Sequence, residues 1–205
     1  MLVLAGADAE EPKAKADKVP PSLVDVGEFG ENVYDLVKAG EWAKANDKFK
    51  ALEGAAKKFK AVEGAKVEKK FLADTLVALG KALAAKEKLA VLRAANRVTR
   101  IAADASEPFE PKIPAAVTRL DVFGRELEIA TMGKDLDQAK AAAKGLRKNW
   151  DKIGPAVKAR GGEAEAKRFE SLLTKVEAAK SVEDYGKLVT PILDEVDNLE
   201  KVFTK

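Results

Sequence analysis

The chain has 205 residues, of which 46% are hydrophobic and 35% charged, and its net charge is +3 at pH 7. This balance excludes a disordered chain, no apolar run approaches the ~20 residues that cross a bilayer, and the length suits one large domain or two small ones. Lys and Ala are abundant and aromatic residues make up only 6%, which favours long helices over sheets.

The sequence contains no cysteine and no histidine. It therefore has no disulfide, no thiolate zinc or iron–sulfur site and no histidine base. The serines do not stand in Gly-x-Ser-x-Gly or Ser-x-x-Lys settings, and no glycine-rich phosphate loop is present. We predict that the protein is not an enzyme and needs no cofactor.

Residues 1–21 form a leader that begins apolar and then becomes charged and proline-rich. The leader contains Ala7-Asp8-Ala9, the small-residue pattern that signal peptidase cuts. We interpret residues 1–21 as the remnant of a signal peptide, matured after Ala9, followed by a Pro- and Lys-rich linker. The alternative is an ordinary disordered leader.

A first four-helix unit is predicted over residues 22–107. Ser22 and Asp25 are spaced as a capping box, and Gly40 and Gly64 are placed as helix stops. Apolar residues recur at helical spacing in four segments, which predicts one inward face on each helix. These residues are Val26, Phe29, Val33, Leu36 and Val37, then Trp42, Ala45, Phe49, Leu52, Ala56, Phe59 and Val62, then Val67, Phe71, Leu72, Leu76, Leu79 and Leu83, and finally Leu89, Leu92, Ala95, Val98, Ile101 and Ala102.

Three prolines, Pro108, Pro111 and Pro114, follow the fourth helix. Because proline is excluded from helix interiors and keeps the preceding residue extended, residues 108–114 are predicted to be an extended connector. This is the predicted boundary between two units.

A second four-helix unit is predicted over residues 115–205. Ser181 and Asp184 are spaced to cap its last helix, while Pro155 and Pro191 fall inside helices and predict bends. The inward residues are Val117, Leu120, Phe123, Leu127 and Ala130, then Leu136, Ala139, Ala143, Leu146, Trp150, Ile153 and Val157, then Phe169, Leu172, Leu173 and Val176, and finally Tyr185, Leu188, Ile192, Val196, Leu199 and Phe203.

The two predicted units align at an offset of 94 positions except in the third helix, where Phe71 aligns better with Phe169 and small compensating shifts are implied. Phe29-Gly30 aligns with Phe123-Gly124, and Pro20 with Pro114. Matched Phe, Gly and Pro at one offset are harder to attribute to composition than matched Ala or Lys. We therefore predict an all-α fold, a tandem duplication of a four-helix up-and-down bundle unit with eight helices in total.

Arg93, Arg97 and Arg100 occur at i, i+4 and i+7, which places three positive charges on one face of the fourth helix. Such a stripe can bind phosphate groups or an acidic partner. The alternative is a solvated helix face, since the chain as a whole is close to neutral.

Acidic residues are the only strong metal ligands in the chain. Asp135 and Asp137 lack the remainder of a calcium loop, and their place at a helix start already explains them. Asp194, Glu195, Asp197 and Glu200 crowd the last helix, where they either bind a hard cation or form a solvated acidic face. We assign no metal ligand.

The stretches NWDKIGPAVKARGG (residues 149–162) and VDNLEKVF (residues 196–203), together with the repeat, resemble exported bacterial helical proteins of the imelysin-like kind. The resemblance implies a shared helical architecture over residues 22–205 and a periplasmic address. Imelysin-like proteins carry a Gly-x-His-x-x-Glu metal motif, which a chain without histidine lacks. No functional residue is therefore carried over.

These observations predict a non-enzymatic, periplasmic or otherwise exported protein that serves as a binding or structural subunit of a cell-envelope complex, with protein partners. One alternative is a module that binds polyanions or nucleic acid through Arg93, Arg97 and Arg100. The other is a metal carrier that uses carboxylates alone.

Overall fold

The structure, a computed structural model, describes residues 18–59 and 66–205. Within these ranges all regular structure is helical, as the sequence predicts. In chain order the helices are α1 (Pro21–Lys38), α2 (Trp42–Lys58), α3 (Lys66–Ala85), α4 (Lys88–Ser106), a 3-10 helix (Glu107–Phe109), α5 (Ala115–Met132), α6 (Leu136–Ala159), α7 (Glu163–Ala178) and α8 (Val182–Thr204).

Two hydrophobic cores lie one in each half of the chain. In the first half α1 packs on α2 and α4, and α3 packs on α4; in the second half α5 packs on α6 and α8, and α7 packs on α8. The first core is built from residues of α1–α4 with Ile129 of α5, and the second from residues of α5–α8. In both halves, burial of the periodic apolar faces therefore provides the hydrophobic core that holds the helices together.

The two halves meet where α4 packs against α5. The buried Asn96 side chain of α4 donates its Nδ2–H to the carbonyl of Val122 at 2.9 Å. Arg119 of α5 donates to Asp104 at 2.6 Å and to Glu107 at 2.7 Å. Polar contacts therefore add to the apolar packing that holds the halves together.

Backbone hydrogen bonds at the first turn of each half repeat at the 94-residue offset. The N–H of Glu41 donates to the carbonyl of Leu36 at 2.8 Å, and the N–H of Asp135 donates to that of Ala130 at 2.9 Å. Two N–H groups at the start of α1 donate to the carbonyl of Pro20, and two N–H groups at the start of α5 donate in the same way to the carbonyl of Pro114.

A glycine at the same place in each half allows two helices to approach closely. A Cβ atom on Gly30 would lie 3.0 Å from Val98 Cγ1 and 3.1 Å from Thr99 Oγ1. A Cβ atom on Gly124 would lie 2.7 Å from Leu193 Cδ2 and 3.5 Å from Ile192 Cγ2. Val98 and Ile192 are 94 positions apart, and so are Thr99 and Leu193. The contact of α1 with α4 therefore involves the same positions as the contact of α5 with α8.

Several local predictions are wrong in detail. Ser22 does not cap α1, which begins at Pro21 without a side-chain cap. Pro108 lies in the 3-10 helix that extends α4, so the extended part of the connector is shorter than residues 108–114. Pro155 does not shorten α6, which continues to Ala159. Pro191, in contrast, lies inside α8 as the sequence predicts.

The predicted capping box at Ser181 and Asp184 is present. The leader residues 1–17, the seam residue Val62 and the predicted stop at Gly64 lie outside the described residues. Among the helices of the described ranges, none combines the length and apolar character that a bilayer crossing requires.

Candidate functional site: an arginine-lined cleft

The predicted stripe of Arg93, Arg97 and Arg100 lies on the exposed face of α4. The opposite face carries Val91, Ala95 and Val98, which are fully buried. Since successive helical residues are turned by about 100°, burial of that face directs the three guanidinium groups outward together.

The outward face of α4 forms the base of a cleft of about 500 Å³, which we name the arginine cleft. Its walls come from α3, α5 and α6, so that both halves of the chain contribute. The lining residues are Phe71 from α3, then Arg93, Asn96, Arg97, Arg100, Ile101 and Asp104 from α4, then Glu126 and Ile129 from α5, and finally Gln138 and Ala141 from α6.

Arg93 and Arg97 carry the available positive charge of the arginine cleft. Arg93 Nη2 donates a long, weak hydrogen bond of 3.4 Å to the uncharged Gln138 Oε1. The Arg97 guanidinium lies 6.0 Å from the centre of the Phe71 ring, at the limit of a cation–π contact. Among the described side chains, no carboxylate forms an ion pair with either arginine.

Arg100 is instead held by acidic neighbours at the other end of the arginine cleft. Its Nη1 lies 3.6 Å from Glu126 Oε1, its Nε lies 4.0 Å from Asp104 Oδ2, and its guanidinium lies 5.3 Å from the centre of the Phe123 ring. Burial raises the pKa of Glu126, and the charge of Arg100 opposes that shift. The cleft is therefore polarised along α4, with its cationic end at Arg93 and Arg97.

Asn96 forms a polar floor between these two ends. Its side chain is only 2% exposed, and its Oδ1 has no hydrogen-bond partner in the described part of the chain. A buried acceptor without a donor costs free energy, which a donor supplied by a ligand or a water would recover.

The sequence predicts that Phe71 faces the core. In the structure Phe71 lies instead at the rim of the arginine cleft, with 47% of its surface exposed. The inward face of α3 is set by Leu72, Leu79 and Leu83, which are nearly fully buried. Phe71 is one residue, or about 100°, away from that face. Burial of the three leucines fixes the rotation of α3 about its axis, and this rotation leaves Phe71 exposed.

The acidic residues of α8 lie in different surroundings. Glu195 is buried and paired with Arg168 at 2.9 Å, whereas Asp194 and Asp197 are exposed. In the two described ranges, no group of three or more acidic side chains is placed to hold a metal ion. The carboxylate-only metal carrier gains no support from this geometry.

The sequence does not predict Phe71 as a rim residue or Gln138 as a wall residue, and it gives no signal for Asn96 at the floor or Glu126 beside Arg100. Gln138 follows the helix-capping Asp135, which accepts a hydrogen bond from the Gln138 N–H at 2.9 Å. That cap is visible in the sequence, but the approach of α6 to α4 is a tertiary fact without a local signal.

Comparisons of the chain with protein-family models, with curated proteins and with solved structures give no significant match. The imelysin-like resemblance therefore stays a prediction.

Proposed function

We propose that the protein is a non-enzymatic binding subunit that holds an extended acidic segment of a partner protein in the arginine cleft. The observation that carries this proposal is the position of Arg93 and Arg97, which have no carboxylate partner among the described side chains, beside the half-exposed ring of Phe71. Arginine and aromatic side chains together are the residues most enriched at the energetic centres of protein interfaces.

The spacing of the two arginines favours an extended acidic segment. Arg93 and Arg97 are four residues apart, which is a rise of about 6 Å along α4. Alternate side chains of an extended chain are separated by about 6.8 Å. Two carboxylates at positions i and i+2 of such a segment therefore match the two guanidinium groups.

The test is calorimetry with a capped Glu-Gly-Glu-Phe-Glu peptide at low salt. We expect R93A/R97A to weaken binding about tenfold or more, because each exposed charge pair contributes up to ~1 kcal/mol and 1.4 kcal/mol is tenfold. The matched control is K81A/K167A, which removes two exposed positive charges from other helices. Equal losses in the two variants would refute a specific cleft.

The polyanion alternative is tested in the same experiment with a single-stranded oligonucleotide of equal charge. The proposal predicts that the peptide binds more tightly, since the arginine cleft offers one exposed aromatic rim residue rather than a series of stacking rings. Tighter, R93A/R97A-sensitive binding of the oligonucleotide would replace our proposal with the nucleic-acid module.

We also propose that the two halves, α1–α4 and α5–α8, are copies of one four-helix bundle unit. The support is the sequence offset of 94, the hydrogen bonds repeated at that offset and the equivalent glycine crossings. The α1 and α5 bounds, Pro21–Lys38 and Ala115–Met132, differ by the same offset at both ends. A crystal structure in which residues 21–58 and 115–152 fail to superpose would count against duplication.

Export to the cell envelope completes the proposal, and it depends on the leader pattern around Ala7-Asp8-Ala9. The measurement is fractionation of cells that express the full-length product, with N-terminal sequencing of the mature chain. We expect the mature chain in the envelope fraction and beginning at Glu10. An uncleaved cytoplasmic product would contradict export without affecting the proposed peptide binding.

A further inference from the structure

A second cleft of about 760 Å³ lies between α6 and the segment that joins α7 to α8. We name it the lysine cleft, because four lysines line it and none of them belongs to the arginine cleft. The lining residues are Lys140, Ala143, Lys144, Arg147, Lys148 and Asp151 from α6, Glu177 from α7, Ala179 and Lys180 from the joining segment, and Tyr185 from α8.

The lysine cleft is open where the first half of the chain is filled. Ala143 of α6 stands 94 positions after Phe49 of α2, and both helices begin at the same offset, at Leu136 and Trp42. The Phe49 ring packs so closely over Gly80 of α3 that a Cβ atom there would lie 3.2 Å from it. At position 143 a methyl group stands in place of that ring, and Ala143 lines the lysine cleft.

The floor of the lysine cleft carries a polar group that the first half lacks. Tyr185 is only 3% exposed, and its counterpart at the 94-residue offset is Val91. The Tyr185 hydroxyl lines the cleft and forms no hydrogen bond with any other described group, and burial raises its pKa. A tyrosine hydroxyl that lines a cleft and has no partner among the described groups is a donor for a ligand.

The charge of the lysine cleft is positive. Its lining contains five cations and two carboxylates, a net charge of +3. Arg147 is already engaged, with Glu177 at 2.7 Å, Glu170 at 2.8 Å and Asp151 at 3.6 Å. The remaining cations are the flexible lysines, whose aliphatic stems add apolar surface to the walls.

We propose that the lysine cleft binds a small aromatic anion, whose ring occupies the volume that Phe49 fills in the first half. The Tyr185 hydroxyl donates a hydrogen bond to this ligand, and Lys140, Lys144, Lys148 and Lys180 neutralise its charge. This site is separate from the arginine cleft and does not depend on the proposed peptide binding.

The test is a fluorescence titration of the full chain with anilinonaphthalene sulfonate, an aromatic anion that brightens when its ring leaves water. We expect A143F to weaken binding at least tenfold while the melting temperature is unchanged or higher, because the new ring fills the lysine cleft. Y185F, which removes only the hydroxyl, should weaken binding threefold to tenfold.

Two controls separate the lysine cleft from general charge and general hydrophobicity. K144A/K148A should weaken binding of the dye at least fivefold, while K81A/K167A and R93A/R97A should leave it unchanged. These variants keep the test decisive even if A143F fails to fold. Dye binding that survives Y185F and K144A/K148A would overturn the proposal, and so would inorganic pyrophosphate bound as tightly as the dye.

Discussion

Gly145 of α6 allows the ring of Phe123 to lie directly against the helix backbone. A Cβ atom at this position would lie 2.2 Å from Phe123 Cδ1 and 2.7 Å from Phe123 Cγ, distances that no conformation of the ring can tolerate in place. Phe123 also lies beneath the guanidinium of Arg100. The lack of a side chain at Gly145 thus leaves room for Phe123, which packs on the core and contacts Arg100 of the arginine cleft.

We expect G145A to destabilise the protein by about 1–3 kcal/mol or more, because the forced displacement of Phe123 outweighs the gain in helix propensity. The measurement is denaturant unfolding.

Gly54 of α2 provides the matched control. No atom lies within 4 Å of a Cβ built there, and its backbone is helical. We expect G54A to stabilise the protein by about 0.5–1 kcal/mol. A destabilised G54A, or a neutral G145A, would show that the packing around these glycines is incorrectly described.

At the scale of single residues, sequence periodicity predicts which residues are buried better than which are exposed. Leu72, Leu79 and Leu83 are buried as predicted, while Phe71, assigned to the same face, is not. A hydrophobic residue at the edge of a helical face can be either buried or exposed, and for Phe71 the packing of α3 on α4 determines which. Position 71 could not be settled from α3 alone.

On α1, the carboxyl of Glu31 lies among charged groups of α5 and α8. Burial raises the pKa of Glu31 from 4.5 to about 7; Arg125 opposes the shift, and the charges of Asp121, Glu200 and Asp35 add to it. The pKa of Glu200 is raised to about 6, again mainly by burial. Folding therefore favours the protonated form of both carboxyl groups.

The sign of the pH dependence follows from these shifts. Between pH 4.5 and about 7 the folded state binds more protons at Glu31 than the unfolded state does, so the free energy of unfolding falls as the pH rises through this window. We expect E31Q to be more stable than the wild type at pH 8 by roughly 1–3 kcal/mol, with a shallower slope.

The check is denaturant unfolding from pH 4.5 to pH 8. A residual slope from Glu200 should remain in E31Q. Glu28, which is exposed on the same helix, is the control, and E28Q should follow the wild-type profile. Stability in the wild type that rises through this pH range would contradict the burial of Glu31.

Helix caps give a second prediction for single elements. The Ser181 Oγ accepts from the N–H of Asp184 at 3.1 Å, and Asp184 accepts from the N–H of Ser181 at 3.2 Å. We expect S181A to cost about 1 kcal/mol in thermal unfolding, because an N–H of α8 loses its acceptor.

Ser22 is the control for this cap, since its spacing to Asp25 is the same but α1 forms no side-chain cap. We expect S22A to change stability by less than about 0.5 kcal/mol. The difference has a local cause that the sequence contains: Pro20 and Pro21 fix the backbone for a helix that begins one residue earlier. An equal loss in both variants would contradict it.

Across the whole molecule, side chains of α1 and α5 join the two halves. The Tyr34 hydroxyl donates to Glu128 Oε2 at 2.7 Å, and Lys38 Nζ pairs with Glu128 Oε1 at 2.6 Å. The Arg125 guanidinium lies 4.8 Å from the centre of the Tyr34 ring. Tyr34 and Glu128 are 94 positions apart. This contact is the one expected near an axis that relates the halves if they are two copies of one unit, as we propose.

The helical class, the location of most helices and the exposed arginine stripe follow from the sequence, because each depends on periodicity within one segment. The arginine cleft as a whole does not, because it requires Phe71, Arg97 and Gln138 to meet from three helices. Likewise, the lysine cleft becomes apparent only when Ala143 is compared with Phe49 in the packed structure. Tertiary arrangement, rather than residue type, distinguishes these sites from a solvated surface.

The arginine cleft forms where the two halves meet, and we propose that it is the surface that recognises an acidic segment. The most direct measurement is a backbone-amide NMR titration with the Glu-Gly-Glu-Phe-Glu peptide. We expect saturable shifts confined to amides around Phe71, residues 93–100 and Gln138, and their loss in R93A/R97A. Shifts that centre on another face of the molecule, or that persist unchanged in R93A/R97A, would contradict the claim.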